Sequence, residues 1–209
     1  AASQTLTPLG ARSFDGLYSI QQTSDGGFIL GGYSYSGISG DKTEASQGLG
    51  DYWVVKLDAT GDIQWQNTIG GSSDDQLYSI QQTSDGGYIL VGLSESGIGG
   101  DKTEECYGPY DYWVVKLDAT GAIEWQNNIG GSGDEIPFSI QQTSDGGYIL
   151  GGYSYSGING DKTEVCQGQF DYWVVKLDAG GAIQWQNTIG GSSYDRLGSI
   201  QQTSDGGYI

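Results

Sequence analysis

The chain repeats itself every sixty residues, which limits it to architectures assembled from near-identical modules. Asp-Tyr-Trp-Val-Val-Lys-Leu-Asp stands at Asp51–Asp58, Asp111–Asp118 and Asp171–Asp178. Ser-Ile-Gln-Gln-Thr-Ser-Asp-Gly-Gly begins at Ser19, Ser79, Ser139 and Ser199. Every Trp and every Lys falls on this lattice; of the basic residues only Arg12 and Arg196 lie off it.

One module reads as four strands. Leu77–Thr83 is closed by Ser84-Asp85-Gly86-Gly87, a tight-turn signal because Gly accepts positive φ without steric cost. Tyr88–Ser94 is short and apolar, and a polar loop over 95–110 follows it. Asp111–Asp118 is rich in β-branched and aromatic residues, Ala119-Thr120-Gly121 turns the chain, and Ile123–Ile129 places Ile123, Trp125, Asn127 and Ile129 on one face. The third strand is apolar on both faces, so it needs cover on both sides. No stretch sustains a 3.6-residue apolar period, which predicts essentially no helix.

These features predict an all-β fold, a β-propeller built from sixty-residue, four-stranded antiparallel blades. Three full blades are expected at 17–76, 77–136 and 137–196. Part-blades are expected at both ends: 1–16 as an outer closing strand, centred on Ser3–Gly10, and 197–209 as the start of a further blade. A ring of this kind takes roughly 4–8 blades, so the expectation is an excerpt of a longer chain, or a ring completed by a second copy. A β-solenoid is the competing architecture, but its rungs usually run to roughly 20–30 residues. Residues 1–16 carry no charged or strongly apolar leader, the pattern expected of a mature chain.

The run DYWVVKLDATGDIQWQNTIGGSSDDQLYSIQQTSDGGYILVG, at 51–92, resembles a sixty-residue repeat of large secreted Bacteroidota proteins, type IX secretion cargo among them. It is also similar to the delta-60 repeats. The resemblance spans nearly the whole chain, 17–209. It implies a propeller and a secreted or cell-surface location, and no activity. A weaker similarity joins Leu57-Asp58-Ala59-Thr60-Gly61 and the following Trp65 to the tryptophan-docking motif of quinoprotein propellers. It implies a Trp that locks neighbouring blades; binding of the quinone does not follow from it.

Charge and composition narrow the function. Eight Lys and Arg stand against 26 Asp and Glu, a net charge of −18. Nucleic-acid binding needs clustered basic residues, and attachment to anionic lipid needs them too. No apolar run approaches the roughly 20 residues of a membrane-spanning helix. The chain has no His, which removes the commonest general base and metal ligand. Its acids recur in every module, whereas a catalytic centre needs unlike groups at one place. The chain is therefore read as not an enzyme.

Three residue sets remain. Trp53, Trp65, Trp113, Trp125, Trp173 and Trp185 sit inside regular strands and are read as structural. Asp41, Glu44, Asp101, Glu104, Asp161 and Glu164 recur in Asp-Lys-Thr-Glu segments on the long loop. Hard carboxylate oxygens suit Ca²⁺, the one cofactor considered; solvated surface charge and local ion pairs are the plainer readings. Tyr35, Tyr107, Tyr110, Tyr155, Phe170 and Tyr194 lie where the modules differ most, and aromatic rings beside carboxylates suit a glycan or peptide. Cys106 and Cys166 hold equivalent positions one module apart, with a disulfide and two unpaired thiols both open. In a four-stranded blade the second-to-third connection and the blade-to-blade connection emerge at the same end. The expected function is a non-enzymatic extracellular or cell-surface module that binds or scaffolds through loops on one acidic face. The alternatives are a glycan-binding lectin and a structural subunit of an extracellular fibre or adhesin. Expected partners are an extracellular protein, a glycan, or further copies of the chain.

Overall fold

The computed structural model describes residues 13–209. Their regular structure is entirely β. Twelve strands form three four-stranded antiparallel sheets, each in sequential order. The first sheet contains β1 (Asp15–Gln22), β2 (Phe28–Ser34), β3 (Asp51–Leu57) and β4 (Ile63–Ile69). The second contains β5 (Asp75–Gln82), β6 (Tyr88–Ser94), β7 (Asp111–Leu117) and β8 (Ile123–Ile129). The third contains β9 (Glu135–Gln142), β10 (Tyr148–Ser154), β11 (Asp171–Leu177) and β12 (Ile183–Ile189). The outer strand expected at Ser3–Gly10 lies outside the described residues.

Each first strand begins two residues before the module boundary read from the apolar pattern. In β5, Asp75 and Gln76 already pair with Ser94 and Leu93, and a bulge follows between Leu77 and Ser79. The Asp75 carboxylate is buried; it accepts the Gly71 N–H at 2.7 Å and the Ser96 hydroxyl at 2.8 Å, so it enters the sheet as a folded-in loop anchor. Asp15 and Gly16 likewise pair with Ser34 and Tyr33 in β1, which takes them out of the expected 1–16 segment. At 197–209 a short hairpin bridges Gln202 to Tyr208, and its Leu197, Ile200 and Tyr208 pack on Ile149 and Val174 of the third sheet.

The sheets stack face to face, and their apolar cores lie between them. Tyr52, Val54 and Ile69 of the first sheet meet Leu77, Tyr88, Trp113 and Leu117 of the second. The same set recurs one module on, between the second and third sheets. This is why the third strand of a module is apolar on both faces. The two ends of the stack show the other side of this rule. Leu77 is fully buried, whereas its equivalent Leu17 is 59% exposed; Ile129 is fully buried, whereas Ile189 is 48% exposed.

Side chains also bond one sheet to the next at fixed offsets. Along the first strands and the terminal hairpin, Gln21 Oε1 accepts the Gln82 N–H at 2.7 Å, Gln81 accepts that of Gln142 at 2.6 Å, and Gln141 accepts that of Gln202 at 2.7 Å. Gln21, Gln81 and Gln141, with Gln201 of the terminal hairpin, stand around one open hollow of about 580 Å³. From the fourth strands, Asn67 Nδ2 donates to the Gly121 carbonyl and Asn127 Nδ2 to that of Gly181, both at 2.7 Å. Gly121 has φ +90°, and a Cβ there would stand 3.0 Å from the Trp65 ring. Only glycine meets both demands. Between these layers the Tyr52 hydroxyl donates to the Trp113 carbonyl at 3.0 Å. Tyr52→Phe removes the hydroxyl and its bonds and keeps the ring, so urea denaturation should show a loss of about 1 kcal/mol.

Candidate functional site

The variable residues gather at one end of the stack because two connections meet there. The turns Ser-Asp-Gly-Gly and Asp-Ala-Thr-Gly occupy the opposite end and hardly vary. At the loop end, the connection from second to third strand docks on the connection between sheets. Asp75 N–H donates to the Gly50 carbonyl at 2.6 Å, Glu135 N–H to that of Tyr110 at 2.8 Å, and Asp195 N–H to that of Phe170 at 2.9 Å.

Each docking point joins three equivalent positions whose chemistry differs by module. In the first, Tyr35 and Asp74 flank Gly50, whose N–H donates to Asp74 Oδ1 at 3.0 Å. In the second, Tyr110 bridges Asp134 and donates its hydroxyl to Glu95; that carboxylate, with burial, pushes the phenol up to about 12. In the third, Phe170 is buried between Tyr155 and Tyr194, with ring centroids at 4.8 and 4.7 Å. Arg196 lies over the Phe170 and Tyr153 rings at 5.3 Å. Tyr155 and Tyr194 face solvent, as does Tyr107 on the loop of the second module. The structure thus joins Tyr155, Phe170 and Tyr194 in one patch. It places Tyr35 and Tyr110 at the two equivalent points and Tyr107 on a separate rim.

The Asp-Lys-Thr-Glu carboxylates are engaged with backbone donors. Glu44, Glu104 and Glu164 accept the N–H groups of Thr68, Asn128 and Thr188 at 2.7, 2.6 and 2.5 Å, pinning the long loop to the outer strand. Asp101 accepts the Gly70 N–H at 3.2 Å and Asp161 that of Gly130 at 3.1 Å, pinning it to the preceding sheet. The Asp41 carbonyl accepts Gln66 Nε2 at 2.6 Å. Among the described residues no three His, Cys, Asp or Glu side chains gather to hold a metal ion.

The lysines of these segments do not form the local ion pairs that their spacing invites. Lys42, Lys102 and Lys162 turn inward and are buried, and burial lowers each pKa. Lys102 and Lys162 lie over the Trp113 and Trp173 rings. With these lysines inside, Arg196 is the exposed cation that remains at the loop end among the described residues, so the end is acidic. The lysines of the third strands behave differently. Lys56, Lys116 and Lys176 reach the opposite end and pair with Asp25, Asp85 and Asp145 at 2.9–3.0 Å.

Sequence reasoning missed a row of buried carboxylates. Asp51, Asp75, Asp111, Glu135 and Asp171 are all fully buried at strand starts. Desolvation raises the pKa of Asp75, Asp111 and Glu135, and pushes that of Asp51 up to about 6. The available signal was their recurring place, as the first residue of a strand in each module. Cys106 and Cys166 are free thiols; Cys166 Sγ lies 2.9 Å from the Ser154 carbonyl.

The six Trp fall into two groups. Trp53, Trp113 and Trp173 are buried in third strands, each donating from Nε1 to a Gln of the neighbouring outer strand at 3.0–3.1 Å. Trp65 and Trp125 pack on the next sheet against Tyr88 and Tyr148. Trp185 meets Tyr208 of the terminal hairpin at 5.5 Å. No family model matches the chain, and no curated protein sequence matches it.

Proposed function

We propose that the three sheets are blades of a β-propeller whose ring is completed by further units of the same kind, and that the propeller is a non-enzymatic, extracellular or cell-surface module that binds or scaffolds through its acidic loop end. Face-to-face stacking, and the inner-strand glutamines gathered around one hollow, support the ring. The observation that carries the binding reading is the contrast between ends. One scaffold is held constant by lateral bonds, while three equivalent docking points present Tyr–Gly–Asp, Glu–Tyr–Asp and Tyr–Phe–Tyr. Variable loops on a fixed framework are the usual way a repeat scaffold changes its ligand. The resemblance to secreted Bacteroidota repeats supports the location.

Partners that suit this surface are an extracellular protein, a glycan, or further copies of the chain. The lectin reading is favoured by one observation, the exposed Tyr155 and Tyr194 rings beside buried Phe170, which offer flat apolar surface to a sugar face. Multimerised chain on a glycan array tests it: Tyr194→Ala should weaken any positive signal by about tenfold, the change expected for roughly 1.4 kcal/mol. Signal unchanged in that variant places binding elsewhere, and no signal at any valency removes the lectin. Electron microscopy tests the architecture. Closed discs support the ring, regular polymers support the fibre subunit, and straight stacks of sheets overturn the propeller.

A further inference from the structure

We propose that Lys102 and Asn128 join autocatalytically through an isopeptide bond, with Asp111 moving the proton. The three side chains form one hydrogen-bonded row, Lys102–Asn128–Asp111, inside the second sheet's loop end. Lys102 Nζ donates to Asn128 Oδ1 at 2.7 Å. Asn128 Nδ2 donates to Asp111 Oδ2 at 2.6 Å. All three residues are 95% or more buried, and the Trp113 ring, 5.1 Å from Nζ, covers one side. The nucleophile is therefore held against the amide carbonyl, and the acid against the group that has to leave.

The reaction needs no outside reagent. The reacting state holds Lys102 as the neutral amine and Asp111 as the carboxylic acid, one proton having moved between them along the row. The opposite pKa shifts of the two groups, both from burial, favour that exchange. The Nζ lone pair then forms a bond to Asn128 Cγ, and the carbonyl electron pair moves to Oδ1. Asp111 delivers its proton to Nδ2, the Cγ–Nδ2 bond breaks as the carbonyl re-forms, and ammonia departs. The proton shed by Nζ returns to the Asp111 carboxylate, whose final state is set by the pH. The products are a secondary amide and one ammonia, in balance with the amine and primary amide consumed. A hollow of about 360 Å³ lined by Glu104, Cys106, Tyr107 and Asn128 opens beside the cluster and gives ammonia a way out. Holding the two groups in contact supplies the proximity that this slow transamidation otherwise lacks.

The neighbouring modules are built-in controls. At the same place Lys42 donates to the Thr68 hydroxyl at 3.0 Å, and Lys162 donates to that of Thr188. A hydroxyl has no carbonyl to attack, so those modules hold the same lysine without a target. Asn128 is the one departure from the pattern at this position, and it falls where a reacting group is needed. The bond would tie the long loop covalently to the outermost strand.

Intact mass of the folded full chain, measured under denaturing conditions, tests the proposal. The expected mass is lower than the sequence mass by one ammonia. Trypsin should fail to cut after Lys102, and tandem spectra should join its peptide to that of Asn128. Asn128→Thr, which copies the sister modules, and Lys102→Arg should both restore the sequence mass. Asp111→Asn should restore it or leave the two forms mixed. Three results overturn the proposal: the unchanged sequence mass in the wild type, a deficit that survives Asn128→Thr, or one that survives Lys102→Arg. The last assigns the lost ammonia to a succinimide at Asn128 instead.

Discussion

Trp113→Ala lowers the unfolding free energy by about 3–5 kcal/mol, the range for truncating a fully buried large aromatic side chain. Trp113 has no exposed surface and stands at the centre of the core between the first two sheets, 5.0 Å from the Tyr52 ring. Its removal leaves a void that strands on both sides are too regular to close. It also removes the indole N–H that donates to Gln126 Oε1 at 3.1 Å, and uncovers Lys102. Guanidinium denaturation of both proteins, followed by circular dichroism, measures the loss. A change under about 1 kcal/mol would mean that the sheets do not share this wall.

Acidifying the protein from pH 7 towards pH 5 raises its melting temperature. The cause is the buried carboxylates. Burial pushes the Asp51 pKa from its ordinary 3.8 to about 6, and those of Asp75, Asp111 and Glu135 also move upward. The folded state then binds more protons than the unfolded chain between about 4 and 6, so stability is fully present below that window and is lost as pH rises through it. For Asp51 alone the shift corresponds to roughly 3 kcal/mol. The exposed Asp25 and Asp145 work in the opposite sense. The hydroxyls of Thr23 and Thr143, followed by the ammonium groups of Lys56 and Lys176, hold their pKa values well below the ordinary range. Their contribution is complete above the ordinary carboxylate pKa and fails as pH falls further. Stability should therefore peak on the acid side, near pH 4–5, and collapse below it. Calorimetry across pH 3–8 reads the curve, and a melting temperature that falls steadily from pH 7 to pH 5 contradicts it.

Much of the strand layout was legible because local chemistry decides it. The second and fourth strands of the second module run over Tyr88–Ser94 and Ile123–Ile129, as the short apolar run of the one, the alternation of the other and their flanking turns require. Gly86 and Gly121 sit in those turns at φ +87° and +90°, the demand that the Asp-Gly-Gly and Ala-Thr-Gly signals encode. The first strand was harder, because its opening residues are polar. Asp75 and Gln76 read as loop, and only the tertiary partners of Asp75 fold them into the sheet. Lys102 was misplaced for the same reason. In sequence it sits among Asp101, Thr103 and Glu104 and looks solvated; its burial depends on Trp113 and Asn128, which are distant in the chain. The loop-end position of the variable residues followed from antiparallel connectivity. Their meeting in threes did not, because it depends on how two loops dock.

The glutamine and asparagine bonds between sheets run from each module to the next at constant sequence offsets. A recombination event that gains or drops one whole module therefore regenerates every such seam with the same donors and acceptors. The gene can change its copy number without redesigning an interface, while substitutions at the three docking points diversify separately.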